Sequence, residues 1–159
     1  MEIRRARTED AEAISSLNRS VQTLHARAYP HLFKPPAPDT FTPDEVLAMM
    51  AQSGNVFFVA TVEGTPAGYA YAQIVHRPES AIRRAIDLIY VHHFSVDEAF
   101  QGRGIGRELM AAVRDLARAE SISRLELDVW SFNDQARAFF ERQGFSVYNQ
   151  RLWMDLGDL

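Results

Sequence analysis

Gln101-Gly102-Arg103-Gly104-Ile105-Gly106 decides the reading of this chain. The run before it, Asp87 to Val96, is apolar and β-branched and predicts a strand. Gly104 to Glu120 predicts a helix, with Ile105, Leu109, Ala112, Val113 and Leu116 on one face. A glycine-rich turn between a strand and a helix lets the main-chain N–H groups of the first helical turn approach a ligand closely. The helix dipole makes that end positive, and Arg103 and Arg107 add charge, so the expected guest is a pyrophosphate. The spacing G-x-G-x-G does not match the dinucleotide turn G-x-G-x-x-G, and the lysine of a P-loop is missing.

Upstream, Ile3 to Ala6 predicts a first strand. Thr8 is expected to cap a following helix whose apolar face is Ala11, Ile14, Leu17, Val21 and Leu24. Tyr29 to Phe41 is a linker broken by Pro30, Pro35, Pro36 and Pro38. Thr42-Pro43-Asp44-Glu45 reads as a capping box, so a second helix runs from Pro43 to about Gln52. Val56 to Val62 and Ala67 to His76 form a hairpin around Glu63-Gly64-Thr65-Pro66. Downstream, Leu125 to Trp130 alternates, with Glu126, Asp128 and Trp130 on the polar side. Asn133 to Gln143 predicts a last helix closed by Gly144, and two short strands follow, near Val147 and from Leu152 to Leu156. The order β-α-α-β-β-β-α-β-α-β-β implies a mixed α/β sheet, with a right-handed parallel crossover from Asp87 to Trp130.

The 159 residues suit one domain, 1–159, with one core. Without cysteine there is no disulfide, no thiolate metal site and no cysteine nucleophile, and no metal site is expected. A net charge of -4 argues against a nucleic-acid partner. No apolar run approaches a membrane span, so no membrane partner and a cytoplasmic location are expected.

Two segments carry a family resemblance. Phe94 to Gly106 resembles the pyrophosphate motif Q/R-x-x-G-x-G/A of the GNAT superfamily of N-acetyltransferases. Asn133 to Phe145 resembles that superfamily's segment N-x-x-A-x-x-F-Y-E-x-x-G-F. The element order agrees along nearly the whole chain, as for a bacterial GNAT acetyltransferase. The resemblance implies a mostly antiparallel sheet of about seven strands, splayed between the fourth and fifth, with about four helices. It implies acetyl-CoA as cosubstrate, its pantetheine arm along Phe94, Ser95 and Val96. Its pyrophosphate would lie at Gln101, Gly102, Arg103, Gly104, Ile105, Gly106 and Arg107. Asn133 and Phe140 would sit near the arm.

The implied reaction is direct acetyl transfer to a primary amine of a small molecule, peptide or protein. A general base takes the amine proton. His92, on the fourth strand, and Asp128, on the polar side of the fifth, are the candidates; His93 is a third, expected on the opposite sheet face. The chain departs from the family pattern at Phe140, where relatives carry a tyrosine that protonates the leaving thiolate. The alternative is therefore an acyl-CoA-binding module with weak or no turnover; Tyr148, Tyr90 and Tyr71 are substitute acids. The linker would cover the acceptor, with Tyr29, His31 and Phe33 either lining its pocket or packing the helices onto the sheet. The resemblance also carries an expectation of a homodimer.

Overall fold

The computed structural model describes residues 1–157, and the chain divides into two compact units, 1–128 and 129–159. In the first unit the order is β1 (Glu2–Arg5), α1 (Ala11–Ala28), α2 (Pro43–Met50), β2 (Asn55–Val62), β3 (Thr65–Arg77), β4 (Ile86–Val96), α3 (Ile105–Ala119) and β5 (Leu125–Leu127). The strands form one sheet in sequence order, antiparallel from β1 to β4, with β5 parallel to β4. The expected hairpin turns on Glu63 and Gly64, both at positive φ, which suits the right-handed twist of its strands. The capping box of α2 forms as expected: Glu45 N–H donates to Thr42 Oγ1 at 3.3 Å, and Thr42 N–H donates to Glu45 Oε2 at 2.7 Å.

Side-chain alternation assigns the two sheet faces. Ile14, Leu17, Val46, Phe57, Val59, Tyr69 and Tyr71 form one core cluster, so α1 and α2 lie on the face to which Tyr69 and Tyr71 point. Gly68 points the other way, where an added Cβ would meet Leu109 of α3 at 3.4 Å and the Ser95 carbonyl at 2.6 Å. No side chain fits at 68, so α3 and β4 both approach β3 closely. Leu24, expected on the buried face of α1, is exposed. The fully buried positions of α1 end at Asn18, and its last turns face the linker, where Gln22 Nε2 donates to the Lys34 carbonyl at 2.6 Å.

In the second unit, α4 (Asp134–Arg142) starts at Asn133, whose side chain accepts from Ala136 N–H at 3.0 Å. Gly144 at φ 91° closes it: Phe145 N–H donates to the Phe140 carbonyl and Gly144 N–H to the Glu141 carbonyl. The Phe140 and Phe145 rings meet at 5.7 Å, the apolar contact that accompanies this closure. Here the expectation of about seven strands is corrected. The sheet has five, and no strand is assigned between Phe145 and Gly157. A strand exists only by pairing, and Leu152 and Met154 in the expected last strand stand exposed to solvent. The fifth strand is also shorter than expected, Leu125–Leu127 rather than Leu125 to Trp130, because its last rung with β4 is Val91 opposite Leu127.

Candidate active site

The site begins where β4 changes register. Tyr71 pairs with His93 but Ala72 pairs with Val91, so His92 is an extra residue, a β-bulge. A bulge bends the strand and increases its twist, and the β4–β5 ladder ends at this point. The expected splay between these strands is therefore present. Past the bulge, Ser95 pairs with Tyr69, and Asp97 N–H donates to the Ala67 carbonyl at 2.9 Å. Alternation then turns the main chain of Phe94 and Val96 toward the edge that β5 has left. Ser95, between them, turns its main chain to β3, and its hydroxyl donates to the Leu17 carbonyl at 3.4 Å. The Val96 carbonyl accepts from Gln101 Nε2 at 3.2 Å, which ties the strand end to the glycine turn.

In that turn Gly102 and Gly104 have φ of 76° and 81°, where other residues are strained. A Cβ at Gly102 would meet nothing within 4 Å, so backbone conformation rather than space calls for glycine there. Gly104 is the N-cap of α3 and provides no side-chain cap, so the N–H groups of Ile105, Gly106 and Arg107 face outward. The Arg103 guanidinium lies over the Phe100 ring at 5.3 Å. An open cradle of main-chain donors beside two arginines and a bare strand edge fits an extended cosubstrate that carries a diphosphate.

The bulge also corrects the placement of His93. Strict alternation would send His92 and His93 to opposite faces, but both rings lie against Tyr71. His92 stacks on it at 4.7 Å, and His93 meets it edge-on at 5.5 Å. Tyr90 joins them, 4.7 Å from the His92 ring, and donates its hydroxyl to Asp128 Oδ2 at 2.6 Å. His92 Nε2 lies 2.9 Å from Gln73 Oε1. The two predicted catalytic residues thus share one polar patch at the mouth of the splay, together with Tyr90, Tyr71 and Gln73. A bulge has no signature in hydrophobic periodicity, so the sequence reading missed Gln73 and the shared face of the histidines. Burial holds the Tyr90 phenol protonated, and its bond to Asp128 acts in the same direction. Burial also lowers the His92 pKa, against the opposing charge of Asp128, so the imidazole is neutral at physiological pH.

His93 lies deeper. Asn18 Nδ2 donates to the Tyr69 hydroxyl at 2.8 Å, and that hydroxyl is 3.1 Å from His93 Nδ1. Burial pushes the His93 pKa down to about 4, with smaller contributions from His92 and His25. The unfolded chain therefore binds this proton first as pH falls below about 6.5, and the native state is penalised until about pH 4. We expect His93 to contribute roughly 3 kcal/mol of stability that is complete above pH 6.5 and lost by pH 4. Urea unfolding of native protein and His93→Gln across pH 4 to 7 checks this: the variant should show a shallower pH slope, and equal slopes would refute the assignment.

From the linker, the Phe41 ring meets His93 at 5.0 Å. Tyr29 and His31 meet edge-on at 5.8 Å. Phe33 touches His25 at 5.0 Å and lines a cavity of about 300 Å³ with Pro30, Pro35, Pro36 and residues of α1. Among the described residues no cluster suits a metal ion, and no helix is long and apolar enough to cross a membrane.

A glycine cradle at a helix start, next to a parallel strand pair that parts at a bulge, fits the class of proteins that bind an extended cosubstrate by its diphosphate. The sequence profile of the Acetyltransferase (GNAT) family matches residues 18–145. The N-alpha-acetyltransferase RimI of Mycobacterium tuberculosis is 34% identical over 108 residues, which cover 67% of this chain and 62% of that protein. A crystal structure of a mutant BH1408 protein from Bacillus halodurans superposes with a TM-score of 0.94 at 27% identity, covering 98% of this chain and 99% of that one. Aminoglycoside N-acetyltransferase AAC(6')-Iy, solved in complex with CoA, shares the fold, with a TM-score of 0.73 at 16% identity over 97% of this chain and 98% of that one. The chain belongs to the GNAT acetyltransferase family: it is an N-acetyltransferase whose cosubstrate is acetyl-CoA.

Proposed function

We propose that this chain, acting as one domain over residues 1–159, transfers acetyl directly to a primary amine of a small molecule or peptide, with His92 as general base. The observation that carries the reading is the juxtaposition of a neutral His92 and the Asp128 carboxylate at the mouth of the β4–β5 splay. Bound acetyl-CoA supplies the activated acyl group. The turn from Gln101 to Arg107 would hold its diphosphate, and the main chain of Phe94 and Val96 would hold its arm, with Ser95 keeping that edge fixed. Asn133 and Phe140 are proposed as further cofactor-binding residues on the strength of the family motif that they belong to. The amine nitrogen bonds to the thioester carbonyl carbon as the carbon–sulfur bond breaks. His92 accepts the amine proton, and Asp128 stabilises the resulting imidazolium. A main-chain N–H of β4 would polarise the thioester carbonyl.

Phe140 supplies no proton to the departing thiolate. A thiol pKa of about 8.5 makes it a fair leaving group without that help, so turnover is compatible with phenylalanine there. The RimI relative, an N-alpha-acetyltransferase, supports an α-amine as acceptor; the aromatic linker residues Tyr29, His31 and Phe33 are compatible with a peptide or an aromatic acceptor. A thiol-release assay with acetyl-CoA and a panel of small amines and peptides tests the reading. Release that depends on one class of acceptor is expected. Tight CoA binding without release on any acceptor, and a large gain on Phe140→Tyr, would favour the binding-only alternative instead.

A further inference from the structure

We propose that Gln73 is a positioning residue for acetyl transfer: its side-chain carbonyl holds His92 with hydrogen on Nε2, so that Nδ1 is the nitrogen that takes the amine proton. The inference rests on reading His92 as the base, and it adds the atom and the residue that selects it. Gln73 lies on β3, opposite Tyr90 of β4. Its Oε1 is 2.9 Å from His92 Nε2 and has only lone pairs to offer. A second lone pair on Nε2 would face it repulsively, so Nε2 carries the hydrogen and Nδ1 is left basic.

The ring cannot easily turn away from this partner. Tyr71 of β3 stacks on one side at an interplanar angle of 17°, and Tyr90 closes another at 60°. The titratable and charged groups around the ring are Tyr71 from β3, Tyr90 and His93 from β4, and Asp128 after β5. Of these, Asp128 is the anion that favours an imidazolium, and the Tyr90 hydroxyl anchors it through Oδ2. When the amine attacks, its proton passes to Nδ1 while the hydrogen on Nε2 stays there, donated to Gln73 Oε1. The imidazolium then returns one proton to water, and the neutral tautomer is restored.

The test uses two variants that differ in what they offer to Nε2. Gln73→Glu is an acceptor only; Gln73→Lys is a donor only. Long-range nitrogen NMR of the free protein should show His92 protonated on Nε2 in native protein and in Gln73→Glu, and on Nδ1 in Gln73→Lys. In Gln73→Glu, kcat should stay within about threefold of native, and the acid limb of the pH profile should move up by about one pH unit, as for a histidine given a carboxylate partner. In Gln73→Lys, kcat should fall at least about tenfold, the low end for loss of a positioned base being higher still, with KM changed less. Native His92 protonated on Nδ1, or a lysine variant with native tautomer and native kcat, overturns the proposal. His92→Asn, assayed in parallel, separates the two layers: full activity there removes His92 as base and with it the role of Gln73. An inactive His92→Asn beside unaffected Gln73 variants leaves the base and removes the positioning.

Discussion

Gly104→Glu is expected to weaken binding of CoA and acetyl-CoA by at least about 100-fold while the protein stays folded. Gly104 is the N-cap of α3 at φ 81°, and a Cβ built there has only Arg107 near it, at 4.0 Å. The added Cβ therefore meets no steric barrier. Its cost to folding is the left-handed backbone, roughly 1–2 kcal/mol. A carboxylate at a helix start returns about 0.3–1 kcal/mol of that through the dipole. For the diphosphate the effect is larger, because the carboxylate would occupy the donor cradle and repel the same charge. Like charges brought together cost several kcal/mol, and each 1.4 kcal/mol is tenfold in affinity. Calorimetric titration with CoA, alongside a thermal melt, measures both terms. Uptake within threefold of native would mean that the turn from Gln101 to Arg107 does not hold the cosubstrate.

The second large effect concerns turnover. His92→Asn should lower kcat/KM by roughly 10²–10⁴, the range for losing a positioned general base, and leave CoA affinity unchanged. The pH profile adds a sharper signature. A base works only when unprotonated, and burial holds the His92 pKa below its ordinary 6.5. The native enzyme should therefore keep its activity through pH 6.5 on the way down and lose it only at lower pH. The variant should lack that limb. Asp128→Asn should shift the native limb further down, because the carboxylate is what raises the His92 pKa against burial. A His92→Asn profile that overlays native in height and shape from pH 5 to 9 would assign the proton transfer elsewhere.

What the sequence determined by itself is local. The glycine turn, the α2 capping box, the hairpin turn at Glu63-Gly64 and the α4 closure at Gly144 are each set within a few residues by φ preference, missing donors or capping side chains. All four stand where the sequence placed them, the hairpin turn two residues shorter than expected because Thr65 and Pro66 already pair with β2, and two of the four carry the family pattern. The last strands failed for the complementary reason: Val147 to Leu156 has β-forming residues, but pairing is not a local property. The same holds for the catalytic patch. Whether His92 and His93 share a face depends on one extra residue in β4 relative to β3, and Gln73 meets His92 only because of that register. Periodicity along one strand contains no information about its neighbour's count, so His92, Asp128 and Gln73 were brought together by the tertiary structure alone.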